Sequence, residues 1–331
     1  MANKEIIKPN ISKNGEVKAI FTLFEEIRST DISDGQKTHI RELKKRGEEV
    51  QAFEYRKGAL REKKETQLRE GLKGLEKTLK EEGIPDLCVK TAVEVVETWS
   101  KNKLLGEITD EERKKELEKT IKKYGPQAFE WLIREKTGSG KTRIREIIDM
   151  MLPSADEKEK EFTELEIKLI GKEWLSPQEA IKKEYTFIWL GNIMGFYSDV
   201  KRKKEIERIF HQYGSDVFDW FAKEKTNGRK TRAREVIDRM LSPEEEALRE
   251  FAELETKLLV REWLSFEEAI EAEYTIVLLG EKLEHFYFSP EEREEKLTSI
   301  YDQYPSEITE KFVREKARNI MNRIMPSTRK R

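Results

Sequence analysis

The sequence has a single cysteine, Cys88, and only three histidines, which lie far apart. One cysteine cannot form an intramolecular disulfide or a thiolate metal cage, and isolated histidines lack the close spacing of metal ligands. The chain also has no Gly-x-Ser-x-Gly or His-Glu-x-x-His motif and no Asp-rich cation-binding loop. We therefore predict a protein that is not an enzyme and that needs no cofactor or metal.

Long apolar runs are absent as well. The longest apolar stretch, Thr186 to Tyr197, is shorter than the roughly 20 residues that cross a bilayer. Residues 1–10 lack the apolar core of a secretory signal peptide. The sequence therefore predicts a soluble, cytoplasmic protein without a membrane partner.

Neither sign of charge is in excess, since 65 basic residues nearly balance 67 acidic ones. Charged residues nonetheless make up 40% of the 331 residues, against about 25% in ordinary soluble domains. Disorder would require a large net charge and few aromatic residues, whereas the net charge here is -2 and 9% of the residues are aromatic. We interpret the charges as solvated helix faces, a Glu- and Lys-rich surface that is typical of thermophile proteins.

An internal repeat with a period of 89 residues runs through the chain. The segment Lys172 to Ser176 matches Arg261 to Ser265, and the segment Lys141 to Arg143 matches Lys230 to Arg232, at the same offset. Similarity at a fixed period is typical of stacked supersecondary units. The predicted organisation is an N-terminal segment with a long helical arm (1–65), a first repeat with a divergent first half (66–153), a second repeat (154–241) and a third with a basic C-terminal tail (242–331).

Helix starts are marked by a Ser or Thr followed three residues later by Glu, a pair that can cap a helix reciprocally. This pattern occurs at Thr109, Ser154, Ser176, Ser242, Ser265 and Ser289. Apolar residues recur between these sites at helical spacing, without the alternation of strands. We predict an all-α fold of tandem helical repeats with about five helices per 89-residue unit. In the second repeat the helices are expected near 155–173, 177–196, 199–212, 215–225 and 231–241.

Residues 36–82 are predicted to form one long, very polar helix ahead of the repeats, with a break near Gly47 or Gly58. Leu43, Val50 and Phe53 follow a short heptad pattern with Leu60. Heptads of apolar residues favour pairing of helices. A homodimer formed through this helix is therefore one possible assembly.

The segment Thr137 to Thr142 resembles a phosphate-binding P-loop only superficially. The motif requires a glycine where the chain has Glu135, and it follows a buried strand where a helix is predicted here. The equivalent segment of the next repeat, Thr226 to Thr231, has no phosphate-cradling glycine pattern. A nucleotide site is therefore rejected.

The same two segments are strongly basic. Residues 134–145 carry five cations against Glu135, and residues 223–234 carry six against Glu224. Cations in the first turn of a helix oppose its dipole by about 0.3–1 kcal/mol each, and the free N–H groups of a helix start attract anions. The candidate nucleic-acid-binding residues are Arg134, Lys136, Lys141, Arg143, Arg145, Lys223, Lys225, Arg229, Lys230, Arg232 and Arg234.

Two hypotheses remain open on function. In the first, these basic turns follow the phosphate backbone of DNA or RNA, once per repeat, and the chain is a nucleic-acid-binding scaffold. In the second, the chain is a protein-interaction or assembly scaffold, and the basic turns meet an acidic partner or neighbouring carboxylates such as Glu146 and Glu235. The recurring aromatic residues Phe129, Trp131 and Phe218 are expected to pack in the core.

Overall fold

The computed structural model describes residues 23–242, 244–283 and 290–325. The chain divides into two compact units, Met1–Trp174 and Leu175–Arg331, called here the first and the second unit. The described residues are helical and contain no β-strand; two isolated bridges, Lys136 with Thr142 and Lys225 with Thr231, are the extent of their extended pairing. The prediction of an all-α fold is confirmed. Among the described residues, no helix combines the length and apolar character needed to cross a membrane.

A helical stretch over residues 23–29 opens the described part of the first unit. Two helices follow it, α1 (Asp34–Lys45) and α2 (Glu49–Glu81). The chain breaks between them at Gly47, whose φ of 76° is unfavourable for other residues, and it stays helical through Gly58. Of the two predicted break points, the first is therefore the one that occurs. Helix α2 ends at Glu81, one residue before the predicted end of the long helix at residue 82.

The predicted heptad residues do not share one face of these helices. Leu43 is buried with Ala52 and Ala59, where α1 packs against α2. Val50 and Phe53 are instead exposed. A continuous heptad seam is therefore absent from these two helices, because α2 already covers the face of α1 on which Leu43 lies.

Six further elements complete the first unit. They are α3 (Asp86–Ser100), a π-helical turn (Lys101–Leu105), α4 (Asp110–Ile133), α5 (Arg143–Met151), α6 (Glu157–Ile170) and a short 3-10 turn (Lys172–Trp174). Helix α4 is kinked at Gly125, which has a φ of 74° and precedes Pro126. Proline cannot continue the preceding helical hydrogen bonds, so the kink lies at this point.

The second unit contains the remaining helices. They are α7 (Pro177–Ile193), α8 (Asp199–Tyr213), α9 (Ser215–Phe218) with a π-helical turn (Asp219–Lys223), α10 (Arg232–Met240), α11 (Glu246–Leu258), a 3-10 turn (Arg261–Trp263), α12 (Phe266–Lys282), α13 (Pro290–Gln303), α14 (Ser306–Phe312) with a π-helical turn (Val313–Ala317) and α15 (Arg318–Ile324). Helix α12 packs against α11 and against α13 to α15. Its buried residues Tyr274 and Leu278 lie in one apolar cluster with Phe312.

Several helix bounds recur 89 residues apart. Helices α5 and α10 do so at both ends, and α8 begins 89 residues after α4. Upstream of α4 and α8 the offset between equivalent residues is 90. Trp99 lies under the guanidinium of Arg113, and the equivalent tryptophan, Trp189, lies under that of Arg202. The π-helical turn after α3 takes up this one additional residue, as π turns commonly do.

Three of the six predicted caps are present as reciprocal capping boxes, at Thr109, Ser176 and Ser265. Two are wrong. Helix α6 is capped by Asp156, as good a cap as serine, in place of Ser154, and α11 begins only at Glu246, without a side-chain cap from Ser242. The sixth, Ser289, lies outside the described residues, as does the basic C-terminal tail.

Candidate binding segments and exposed surfaces

The first basic segment (134–145) is a short hairpin between α4 and α5. The N–H of Thr137 donates to the carbonyl of Lys141 at 2.8 Å, and the N–H of Gly140 donates to the carbonyl of Thr137 at 3.0 Å. Thr142 closes the hairpin and then caps α5, because its hydroxyl accepts the N–H of Arg145. The loop is thus held by its own backbone and has no need of a bound phosphate.

The second basic segment (223–234) has the same hydrogen bonds. The N–H of Thr226 donates to the carbonyl of Lys230 at 2.7 Å, and the hydroxyl of Thr231 caps α10. The left-handed position of the hairpin is Gly140 in the first segment, with a φ of 81°, and Arg229 in the second, with a φ of 61°. A residue with a Cβ is strained by about 1–2 kcal/mol in this conformation.

Arg145 and Arg234 each pair with three carboxylates. The guanidinium of Arg234 contacts Asp238 at 2.7 Å, Glu246 at 2.6 Å and Glu253 at 3.5 Å, and its side chain is 8% exposed. Arg145 is 14% exposed and reaches Asp149 in the same way. Its other two partners are Glu157 and Glu164. Each arginine therefore joins one helix to the next within its own unit, and its donors face the protein.

Arg143 and Arg232 lie flat against tryptophan rings. The Arg143 guanidinium is 4.4 Å from the ring centre of Trp131 and donates to the Trp131 carbonyl at 3.1 Å. Arg232 is 4.2 Å from the ring of Trp220 and donates to its carbonyl. Stacking on an aromatic face stabilises a cation by about 0.5–2 kcal/mol. These arginines hold the hairpin against the preceding helix.

The lysines at the hairpin ends form ion pairs with the helices that follow. Lys141 contacts Asp149 at 2.6 Å, and Lys230 contacts Asp238 in the same way. Burial by itself raises the pKa of Asp149, but the hydrogen bonds from Lys141 and Arg145 outweigh this effect and lower its pKa overall. The pKa of Asp238 is lowered for the same reasons.

Arg134 and Lys223 are also engaged. Arg134 pairs with Glu130 at 2.8 Å, and Lys223 pairs with Asp219 at 3.1 Å and donates to the Trp263 carbonyl. The three remaining candidates, Lys136, Lys225 and Arg229, are exposed. No described carboxylate forms an ion pair with any of these three.

Sequence reasoning missed most of the acidic partners. Glu164 and Glu253 also accept the hydroxyls of Thr142 and Thr231, at 3.0 and 2.8 Å. Their positions differ by 89 residues, a signal that the repeat itself offered. Glu146, expected near Arg143, accepts instead from Thr137 and Ser139 of the hairpin.

A second recurring network lies between α4 and α6 and again between α8 and α11. Arg113 contacts Glu166 at 3.3 Å, and Arg202 contacts Glu255 at 2.9 Å. Both arginines are buried over a tryptophan ring. The expectation that the recurring aromatics are core residues is confirmed for Phe129, Trp131 and Phe218.

Large apolar side chains are exposed on this otherwise charged surface. They lie on α2, at the connection between α7 and α8, at the start of α12 and on the last two helices. The residues are Val50, Phe53, Tyr55, Ile193, Phe196, Val200, Phe266, Val313 and Met321.

The described residues contain no cluster of His, Cys, Asp or Glu that is arranged to hold a metal ion. Comparison with protein families, with curated proteins and with solved structures finds no match for this chain.

Proposed function

We propose that this chain is a non-enzymatic helical-repeat scaffold that binds other proteins. The observation that carries the proposal is the exposure of Val50 and Phe53 on α2 and of Phe196 and Val200 between α7 and α8. Apolar side chains grouped on a charged surface are typical of protein-binding sites, in which aromatic residues are enriched.

The tandem-repeat part of the proposal is supported by the helix bounds and by the contacts that recur with them. The capping threonines Thr142 and Thr231 have the same glutamate partners 22 residues further along the chain. Repeat proteins bind partners along extended surfaces, since each added repeat adds surface without adding a new kind of core.

The contacts of the basic segments also favour a protein partner over a nucleic acid. Arg143, Arg145, Arg232 and Arg234 direct their donors to carboxylates and carbonyls of their own unit. A guanidinium engaged in this way would have to break these bonds before it could bind a phosphate. Their recurrence every 89 residues is explained by the stability that each repeat needs.

Affinity purification from the native host tests the proposal. We expect the wild-type protein to recover a stoichiometric protein partner that survives nuclease treatment. The double variant Phe53→Ser/Phe196→Ser should lose this partner. The control variant Lys225→Ser, which replaces an exposed cation, should retain it. Equal recovery by the double variant, or recovery that depends on nucleic acid, would contradict the proposal.

Binding of a nucleic-acid backbone is the second candidate, and Lys136, Lys225 and Arg229 are the observation that favours it. These three exposed cations lie in the two hairpins and have no described acidic partner. Each phosphate contact adds about -0.9 to the slope of log affinity against log salt. Three cations therefore predict a slope no steeper than about -2.7 on duplex DNA, and a steeper slope would show that the paired arginines also bind phosphate.

A further inference from the structure

We infer that the connection between α7 and α8 is the docking site for an amphipathic helix of a partner protein whose apolar stripe is flanked by acidic residues. This corner, called the 193–200 corner, consists of Ile193 at the end of α7, Phe196 after it and Val200 in the first turn of α8. The inference rests on the proposed scaffold function and specifies one of its surfaces.

The fold does not require apolar residues at this corner. The residues 89 positions before Phe196 and Val200 are Glu107 and Glu111. They occupy the same place in the first unit, because Gly106 and Gly195 both end the preceding helical segment with a positive φ, 67° and 79°. The same connection is thus built with two glutamates in one unit and with phenylalanine and valine in the other.

The first unit shows that a helix can lie on such a corner. Helix α2 contacts the π-helical turn that ends α3, and Arg61 of α2 pairs with Glu107 at 3.0 Å. The Glu107 side chain is consequently only 18% exposed, whereas Phe196 is 57% exposed. In the first unit a helix of the same chain contacts the corner, and in the second unit the side chain at the equivalent position is more than half exposed.

The two corners also differ in charge, and the sign is reversed at one position. In the first unit Glu107 pairs with Arg61 of α2, and Glu111 and Glu112 lie in the first turn of α4. In the second unit the position of Glu112 is taken by Lys201, so the capping box at the start of α8 loses its acid. A lysine in the first turn of a helix opposes the helix dipole. Within the described residues of the second unit Lys201 contacts the ring of Tyr197 but pairs with no carboxylate.

The exposed lysines define the sign of the charge that the partner should carry. Lys201 lies 4.3 Å from the ring of Tyr197, and Lys204 is exposed one turn further along α8. No described carboxylate pairs with either, whereas their neighbours Arg202 and Lys203 are bound by Glu255. A docked helix would therefore place apolar residues over Phe196 and Val200 and acidic residues beside Lys201 and Lys204.

The test is a display selection on the full-length protein. The library holds peptides of about 18 residues, enough for about 27 Å of helix. Leucines are fixed at i, i+3, i+4 and i+7, and the other positions are randomised among Glu, Gln and Lys. We expect the recovered peptides to be enriched in Glu and to bind more weakly as salt is raised.

Two variants of matched exposure locate the site. Phe196→Ser should weaken the recovered peptides at least about tenfold, as expected for an aromatic anchor. Phe266→Ser, at a phenylalanine that is 58% exposed in the same unit, should leave affinity unchanged. Lys201→Glu/Lys204→Glu should weaken the acidic peptides and remove their salt dependence. Because all four side chains are exposed, these variants are expected to fold, and circular dichroism verifies this.

Other outcomes overturn the inference in distinguishable ways. Enrichment of Lys or Gln in the recovered peptides would contradict an acidic partner. Binding that is lost in Phe53→Ser but kept in Phe196→Ser would place the docking site on α2 and would leave the scaffold function uncontradicted. A wild-type dimer that becomes monomeric in Phe196→Ser, measured by sedimentation, would assign the corner to a second copy of this chain. Recovery of no peptide at all, together with no partner from the host, would count against the scaffold function as well.

Discussion

Replacing Arg234 by methionine removes the cation that joins α10 to α11 while keeping much of the volume of its side chain. The change leaves Asp238, Glu246 and Glu253 without their shared partner. Breaking a buried ion pair from one side costs about 3–5 kcal/mol. The cost here is reduced, because Glu246 is largely exposed and Arg249 still contacts Asp238 at 3.1 Å. We expect the free energy of unfolding to fall by about 2–3 kcal/mol.

Urea unfolding followed by tryptophan fluorescence measures this loss. With a slope of about 2–3 kcal/mol per molar urea, the midpoint should fall by about 1 M. Lys225→Met is the matched control, since Lys225 is an exposed cation of the same segment without a described acidic partner, and exposed substitutions usually change stability by less than about 0.5 kcal/mol. If both variants lose the same small amount, Arg234 does not stabilise the fold, and its donors would be available for a phosphate.

Three further predictions concern single contacts. Arg229→Gly should stabilise the protein by about 0.5 kcal/mol in the same urea assay, because relief of about 1–2 kcal/mol of left-handed strain exceeds the entropy cost of glycine, and Gly140→Arg should destabilise it. Tyr185→Phe should cost about 1 kcal/mol, measured by thermal unfolding, since its buried hydroxyl lies 2.9 Å from that of Thr256. Because the pKa of Asp238 is lowered in the folded state, its stabilising effect is complete above the unfolded value of about 3.9 and is lost as the pH falls through the lower folded value. Asp238→Asn should lack this acid-dependent step, and an unchanged acid profile would contradict the assigned pairs.

The helices could be predicted from the sequence where local chemistry determines them. Ser176 and Ser265 cap their helices reciprocally with a glutamate, and Pro177 fits the first helical position, where its missing N–H is not needed. Ser154 failed as a cap because Asp156, two residues further on, offers an equally good acceptor. Local signals of this kind locate a helix start to within a turn.

The fate of the basic segments could not be predicted in the same way. Arg145 and Asp149 are four residues apart on one helix, a pair that sequence alone can suggest. Glu164 is 19 residues from Arg145 and approaches it only because α6 packs against α5. A run of cations therefore looked available for a ligand until the packing of the next helix was known.

Comparison of equivalent positions separates what the helical framework needs from what a partner would use. Arg145 and Arg234 have equivalent carboxylate partners, and that sameness is explained by stability alone. Selection for stability gives no reason for Glu107 in one unit to correspond to an exposed phenylalanine, Phe196, in the other. Exposed apolar side chains on a charged surface are typical of interaction sites, and this difference between the units therefore points to a partner. The features that the two units do not share are for this reason the better guide to function, and at the 193–200 corner they differ in both polarity and charge.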